Sequence, residues 1–277
     1  MSKTLSLAGR RIAITGAGRG IGLATARELA SRGAQVVIGD IDLAVAEVAA
    51  GSIAGNVSAL AVDVSDRDSF AAFLDKNKEA LGGLDVLVNN AGIMPIGPYL
   101  DLPLSLAQRT FEINVMGVMT GTQLALPGMI AQGSGHIVNM ASSAGKAAVP
   151  GGLAYCASKA AVVSFTEGAR LEFGGRGIKF TCVMPSFTNT ELIAGTAGTK
   201  LLKNVEPEEV ANGIAEAIET GRLDVYRPKA LRSILFTQPL LGRRLRDAMN
   251  RRLGAYDTFL KIDHSQRDGY DDRISHN

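Results

Sequence analysis

Between Arg11 and Met184, short runs of β-branched and other apolar residues alternate with longer alanine-rich stretches of helical composition. That alternation is expected of βαβ units laid side by side into a parallel sheet. It predicts strands at Arg11–Thr15, Gln35–Gly39, Ser58–Val62, Leu84–Asn89, Gly135–Met140 and Lys179–Met184, with helices between them. Each run is almost wholly apolar, so each strand is expected to be buried on both faces by helices. Right-handed crossovers then make the fold class α/β, a doubly wound and mostly parallel sheet with helices on both faces and a helical C-terminal extension. The helical stretch Leu104–Ala131 contains Pro127 and Gly128, which predict a bend or an end there. Ala154–Phe173 is the next long helix.

At 277 residues, 46% of them apolar, the chain can bury a large core within a single domain. We assign that domain to 1–221 and treat 222–277 as an extension packed on it, not as an independent unit. A net charge of +2, with basic residues spread along most of the chain, gives no reason to expect nucleic acid as a partner. Cys156 and Cys182 have no metal-site, redox or disulfide spacing, so no metal is expected and a reducing, cytoplasmic setting fits best. Met1–Arg10 is too short in apolar residues for a signal peptide, and no later run is long enough to span a bilayer.

The first strand runs into Thr15-Gly16-Ala17-Gly18-Arg19-Gly20-Ile21-Gly22 and then into a helical stretch. Glycines at a strand-to-helix turn allow positive φ and close backbone approach, while free N–H groups and the helix dipole suit a pyrophosphate. A tight turn that binds nothing is the alternative. Asp40 ends the second strand about twenty residues beyond the glycine loop, where a carboxylate can accept hydrogen bonds from ribose hydroxyls. A 2′-phosphate about 4 Å away would be repelled by about 4 kcal/mol at an effective dielectric of 20, which favours NAD over NADP. Arg19 can pair with a phosphate or stand solvated in the loop. Asp63, followed by Val64, can meet the adenine amino group or merely cap a turn.

Tyr155 and Lys159 lie four positions apart and share a helix face. An ammonium about 5 Å from a phenol favours the phenolate by roughly 3 kcal/mol, or about two pKa units, bringing tyrosine toward neutral-pH acid–base work. Five motifs in order now resemble the short-chain dehydrogenase/reductase family over about Arg11 to Thr190. They are the glycine loop, Asn89-Asn90-Ala91-Gly92, Asn114, Ser142 and Tyr155-x-x-x-Lys159. The resemblance implies a Rossmann-type sheet and a catalytic tetrad of Asn114, Ser142, Tyr155 and Lys159. Thirteen positions separate Ser142 from Tyr155, the family's usual spacing, which selects Ser142 over Ser143.

The resemblance further implies that Tyr155 exchanges the substrate's proton, Ser142 holds its oxygen, Lys159 binds the nicotinamide ribose and lowers the tyrosine's pKa, and Asn114 positions a water. It places Asn90, Ala91 and Gly92 beside the adenosine ribose, and Pro185, Thr188 and Thr190 at the nicotinamide. Where the family usually has Pro-Gly after the sixth strand, this chain has Pro185-Ser186, a departure bearing on turn geometry. Homo-oligomerisation is expected by the same analogy.

His136 and Cys156 are read as packing residues without a chemical role. Met94, Pro95, Ile96, Phe187 and Leu192–Leu202 are candidate walls of a lipophilic substrate site, with a lid at Glu191–Asn204 hinged on Gly195 and Gly198. Residues 222–252 mix leucines with arginines, a pattern suited either to helices covering the pocket or an oligomer face, or to weak contact with an anionic membrane surface. Asp263–Asn277 is polar and is expected to be mobile or draped over the surface. The leading expectation is an NAD-dependent oxidoreductase of a secondary alcohol or ketone on a lipophilic substrate. A 3-oxoacyl thioester reductase, a non-catalytic dinucleotide sensor and a membrane-surface scaffold are the alternatives.

Overall fold

A computed structural model describes residues 5–196, 203–252 and 256–276. Its elements are β1 (Arg11–Thr15), α1 (Gly20–Ser31), β2 (Gln35–Asp40), α2 (Leu43–Gly51), β3 (Val57–Ala61), α3 (Arg67–Leu81), β4 (Val86–Asn89), α4 (Leu104–Phe111) and α5 (Gly117–Ala131). Then follow β5 (Gly135–Met140), α6 (Leu153–Phe173), β6 (Ile178–Pro185), α7 (Pro207–Thr220), β7 (Asp224–Arg227), α8 (Leu231–Thr237), α9 (Arg243–Arg252) and α10 (Asp268–His276). All seven strands are parallel, in the order β3-β2-β1-β4-β5-β6-β7. The order reverses between β1 and β4, so their carboxyl ends open a crevice, the usual ligand position of a doubly wound sheet.

Alternation along the strands divides the core in two. Ile12, Ile14, Val36, Ile38, Val86 and Val88 face a layer made by α1, α2 and α7, whereas Ala13, Val37, Leu87 and Ile137 face α3, α5 and α6. Strand ends are also tied by a buried polar ladder. Asn89 Nδ2 donates to Asn139 Oδ1 (2.9 Å), and Asn139 Nδ2 donates to Thr166 Oγ1 on α6 (3.0 Å). Inside a low-dielectric core such a chain ties the strand ends in register, although Asn89 Oδ1 is itself buried without a partner.

Local rules explain the helix ends. Asp66 caps α3 by accepting from the Asp68 and Ser69 N–H groups, and α7 starts on a Glu206/Glu209 capping box with Pro207 in its first turn.

Four expectations need correction. The strand β3 is only half-buried because it is a sheet edge, not a doubly covered strand. Pro127 does not end its helix: α5 continues to Ala131, with Pro127 and Gln123 both on its exposed face. The break falls earlier, in a π-helical turn at Glu112–Met116. A seventh strand, β7, lies beyond the six predicted; its Val225 side chain is buried, but four residues of mixed polarity are too short a signal. Finally, the segment from Asp263 onward is docked, with Arg267, Tyr270 and Ile274 buried.

The stretch after β7 is not one continuous helix. Leu231 and Leu235 of α8 are buried while Phe236 is 78% exposed. No described helix is long and apolar enough to cross a membrane.

Candidate active site

At the end of β1 the chain turns through Gly16 at φ 62°, a left-handed conformation that suits glycine. A Cβ on Gly22 would stand 2.5 Å from Gly16 O and 2.6 Å from Asn90 Nδ2, so the loop and α1 close-pack only because that side chain is missing. Arg19, the residue preceding α1, makes no side-chain capping bond. The first-turn N–H groups and the positive end of the dipole are therefore left to the cleft lined by Gly16, Arg19, Gly20 and Ile21. This cradle of uncapped donors fits a dinucleotide's pyrophosphate.

Two neighbouring turns complete that end. Asp40 accepts from Gly18 N (2.9 Å) and Asp42 N (3.2 Å), which aims its carboxylate along the cleft. Thr15 Oγ1 accepts from Asn90 N (3.1 Å) and Ala91 N (3.2 Å), and Asn90 Nδ2 donates to the carbonyls of Thr15 (3.0 Å) and Gly16 (2.8 Å). Asn90, Ala91 and Gly92 are thereby clamped against the glycine loop on the cleft wall. Asp63 holds a turn through Ser65 (2.9 Å to its N, 2.6 Å to its Oγ) and lines the cleft beside Val64.

At the other end, Tyr155 and Lys159 lie one turn apart on α6, both buried, with Lys159 Nζ 5.7 Å from the centre of the tyrosine ring. Lys159 Nζ donates to Met140 O at the end of β5 (2.7 Å). The expected lowering of the tyrosine's pKa is not what the protein's own groups produce. Burial dominates and pushes the phenol up, opposed by a hydrogen bond with Ser142. Lys159 is itself pushed down to about 8 by burial, because its ammonium has exchanged water for a single carbonyl.

Ser142 follows β5 and accepts from Ala144 N (3.1 Å). Asn114 sits in the π turn behind Gly92, fully buried. It accepts from Ile93 N (2.8 Å) and donates to Ile93 O (2.9 Å) and Ser158 Oγ (3.0 Å), which leaves one lone pair on its amide for a water.

Two adjoining cavities meet at this end. The larger, about 260 Å³, runs from Asp40 to Pro185 and Thr190 past Gly92, Tyr155 and Lys159. The smaller, about 70 Å³, holds Ser142 and Thr188 among apolar walls that include Met94, Val149, Phe187 and Phe259. Tyr155 lines both. Gly18, Gly22 and Asn114 support the larger cavity from behind rather than line it, and Thr188 faces the smaller one. Ser186, at the departure from Pro-Gly, is held by its N–H to Arg227 O on β7 (2.8 Å). Of the expected lid, residues 197–202 lie outside the described residues.

His136 is buried 2.8 Å from Thr181 Oγ1, away from the cleft, with its pKa driven down to about 3 by desolvation. Cys156 packs against Val149. No cluster of three or more metal-ligating side chains occurs among the described residues.

Several wall residues escaped the sequence reading. Arg109 lines the larger cavity with its Nε buried and unpartnered, and Tyr270, Arg273 and Ile274 of α10 reach it from the far end of the chain. The spacing of Arg267–Asp271 and Tyr270–Ile274 was a legible helix signal, but nothing local said where that helix docks.

Residues 10–200 match the model of the short chain dehydrogenase family. The chain is 34% identical to estradiol 17-beta-dehydrogenase 11 of Rattus norvegicus over 257 residues, covering 91% of this chain and 86% of that protein. It is 40% identical to cis-4-hydroxycyclohexanecarboxylate dehydrogenase of Sinomonas cyclohexanicum over 222 residues, covering 76% and 89% respectively. Its fold is similar to that of a gluconate 5-dehydrogenase from Burkholderia cenocepacia, crystallised with NADP and tartrate. There the TM-score is 0.76 at 28% identity, over 83% of this chain and 98% of that one. The chain belongs to the short-chain dehydrogenase/reductase family, whose members use a nicotinamide cofactor. It is accordingly an oxidoreductase.

Proposed function

We propose that the protein is an NAD-dependent dehydrogenase that interconverts a secondary alcohol and its ketone on a lipophilic substrate. The observation that carries this reading is the position of Tyr155, on the shared wall of a dinucleotide-sized cleft and an apolar chamber holding Ser142. A hydroxyl there can reach both the reacting oxygen and the cofactor's reactive face.

The bound nicotinamide supplies the hydride acceptor in oxidation and the donor in reduction. In the chamber, Ser142 Oγ hydrogen-bonds the substrate oxygen. Tyr155 Oη takes the alcohol proton as the carbonyl forms and returns it in the reverse direction. Lys159, held beside Gly92 and Met140, binds ribose hydroxyls and favours the phenolate once it turns from the Met140 carbonyl toward the cleft. Asn114 braces Ile93 against α6 and offers its remaining lone pair to the proton-exchange water. Asp40, with its carboxylate fixed by two backbone N–H groups, accepts from the ribose hydroxyls and repels a 2′-phosphate, which favours NAD.

The test follows nicotinamide absorbance during turnover of alcohols and ketones with NAD and NADP. Tyr155→Phe is expected to lower kcat by about 10³ while cofactor affinity changes little. Turnover that survives the substitution overturns the mechanism. Cofactor binding with no turnover of any substrate by the wild type shifts the reading to a dinucleotide sensor.

A further inference from the structure

Arg267 is the largest fully buried side chain among the described residues. Its guanidinium donates to the carbonyls of Leu192 (2.6 Å) and Met94 and to Asp271 (2.8 Å), and stacks 4.6 Å from the centre of the Tyr270 ring. Tyr270 Oη in turn accepts from Met94 N (2.9 Å), so the peptide groups on both sides of Met94 are held by the C-terminal segment. Arg273 pairs with Glu191, next to Leu192. One buried cation therefore ties together the two loops that flank the catalytic end, one after β4 and one after β6.

Upstream of that pin, Phe259 is 3% exposed and tilts against Phe187 with ring centres 5.5 Å apart. Its main chain presses on Gly151, where a Cβ would lie 2.5 Å from Phe259 O, and its ring on Gly152. Phe259 lines the small chamber together with Ser142 and Tyr155. The chamber's 70 Å³ corresponds to roughly five to seven water positions, at about 10–15 Å³ of this volume each. Behind Phe259 that is room for about one six-membered ring, and a fused polycycle would have to extend into the adjoining cleft or displace Phe259.

We propose that residues 256–276 form the outer wall of the substrate chamber, with Phe259 as the specificity-determining residue and Arg267 as the positioning residue that holds the wall in place. The class selected is a monocyclic or short-chain secondary alcohol or its ketone. This rests on the dehydrogenase reading above and narrows its substrate.

The test measures kcat and KM with NAD for cyclohexanol, a decahydronaphthol and a tetracyclic steroid alcohol, in wild type, Phe259→Ala and Arg267→Met. The wild type is expected to lose at least 100-fold in kcat/KM from the first to the last. Phe259→Ala should recover at least tenfold of that loss in kcat/KM on the larger alcohols relative to cyclohexanol. Arg267→Met should raise KM for cyclohexanol with little change in kcat, because the wall is displaced and the chemistry is not.

An unchanged size ranking in Phe259→Ala, or a wild type that turns over the tetracyclic alcohol as readily as cyclohexanol, overturns the assignment. Calorimetric binding of the matching ketones to the holoprotein keeps the two readings apart. Larger ketones admitted only by Phe259→Ala, with no turnover anywhere, uphold the wall and overturn the enzyme. Equal binding by both proteins overturns the wall.

Discussion

At the Asp40 end of the cleft the wall is built on short turns after β1, β2 and β4 that hydrogen-bond one another through main-chain groups with Thr15, Asp40 and Asn90. At the Phe259 end they are side chains from segments as far apart as Met94, Val149, Phe187 and Phe259. A phosphate-and-ribose ligand presents regularly placed acceptors and hydroxyls, which backbone donors and one carboxylate meet well. An apolar substrate offers shape, and only packed side chains can read shape. The first construction is intolerant of a single added methyl; the second should tolerate substitution and change what it selects.

That contrast breaks most visibly at Gly22. Gly22→Val places carbon within 2.6 Å of Gly16 O and Asn90 Nδ2, so NAD affinity by fluorescence titration should fall by more than about 100-fold, far beyond any effect at Phe259. Affinity within threefold of wild type would mean that the glycine turn is not the phosphate cradle.

Asp40→Asn keeps a carbonyl oxygen for the Gly18 N–H and removes only the charge. The NAD-to-NADP ratio of kcat/KM should fall by about 10- to 100-fold, less than the bare 4 kcal/mol repulsion because the site is partly solvated. A constant ratio would move cofactor selectivity elsewhere, Arg19 first.

The smallest effect sharpens the junction between the ends. Lys159 has its pKa lowered to about 8 in the fold, so its burial opposes folding at neutral pH. Between about pH 8 and its ordinary value this lysine binds fewer protons in the folded state than in the unfolded one, so its own contribution to stability rises with pH over that window. Lys159→Met should therefore raise Tm by only a few degrees at pH 7, with the gain shrinking above pH 8. A lower Tm at pH 7 would show that the bond to Met140 O outweighs the desolvation.

Residues close in sequence carried most of the cofactor end. The glycine loop, Asp40, and the Asn90 to Gly92 turn each sit at a strand end that apolar runs located, and Tyr155 and Lys159 declare their shared face by spacing alone. Of the bend or end expected at Pro127 the end does not occur, because the proline sits on the exposed face of α5, a placement that the chain does not state locally. For β7 the signal is four residues long, and its place is set by pairing with β6, more than forty residues upstream.

What the sequence by itself determined is the α/β order, the glycine turn after β1 and the shared helix face of Tyr155 and Lys159, since these depend on contacts within a turn or between a strand and the next helix. Only the tertiary structure decided that a polar tail docks through a buried arginine, because the groups that satisfy Arg267 are carbonyls of Met94 and Leu192, 173 and 75 residues away. A buried charge is tolerable only where distant acceptors converge on it, and no local pattern announces that convergence.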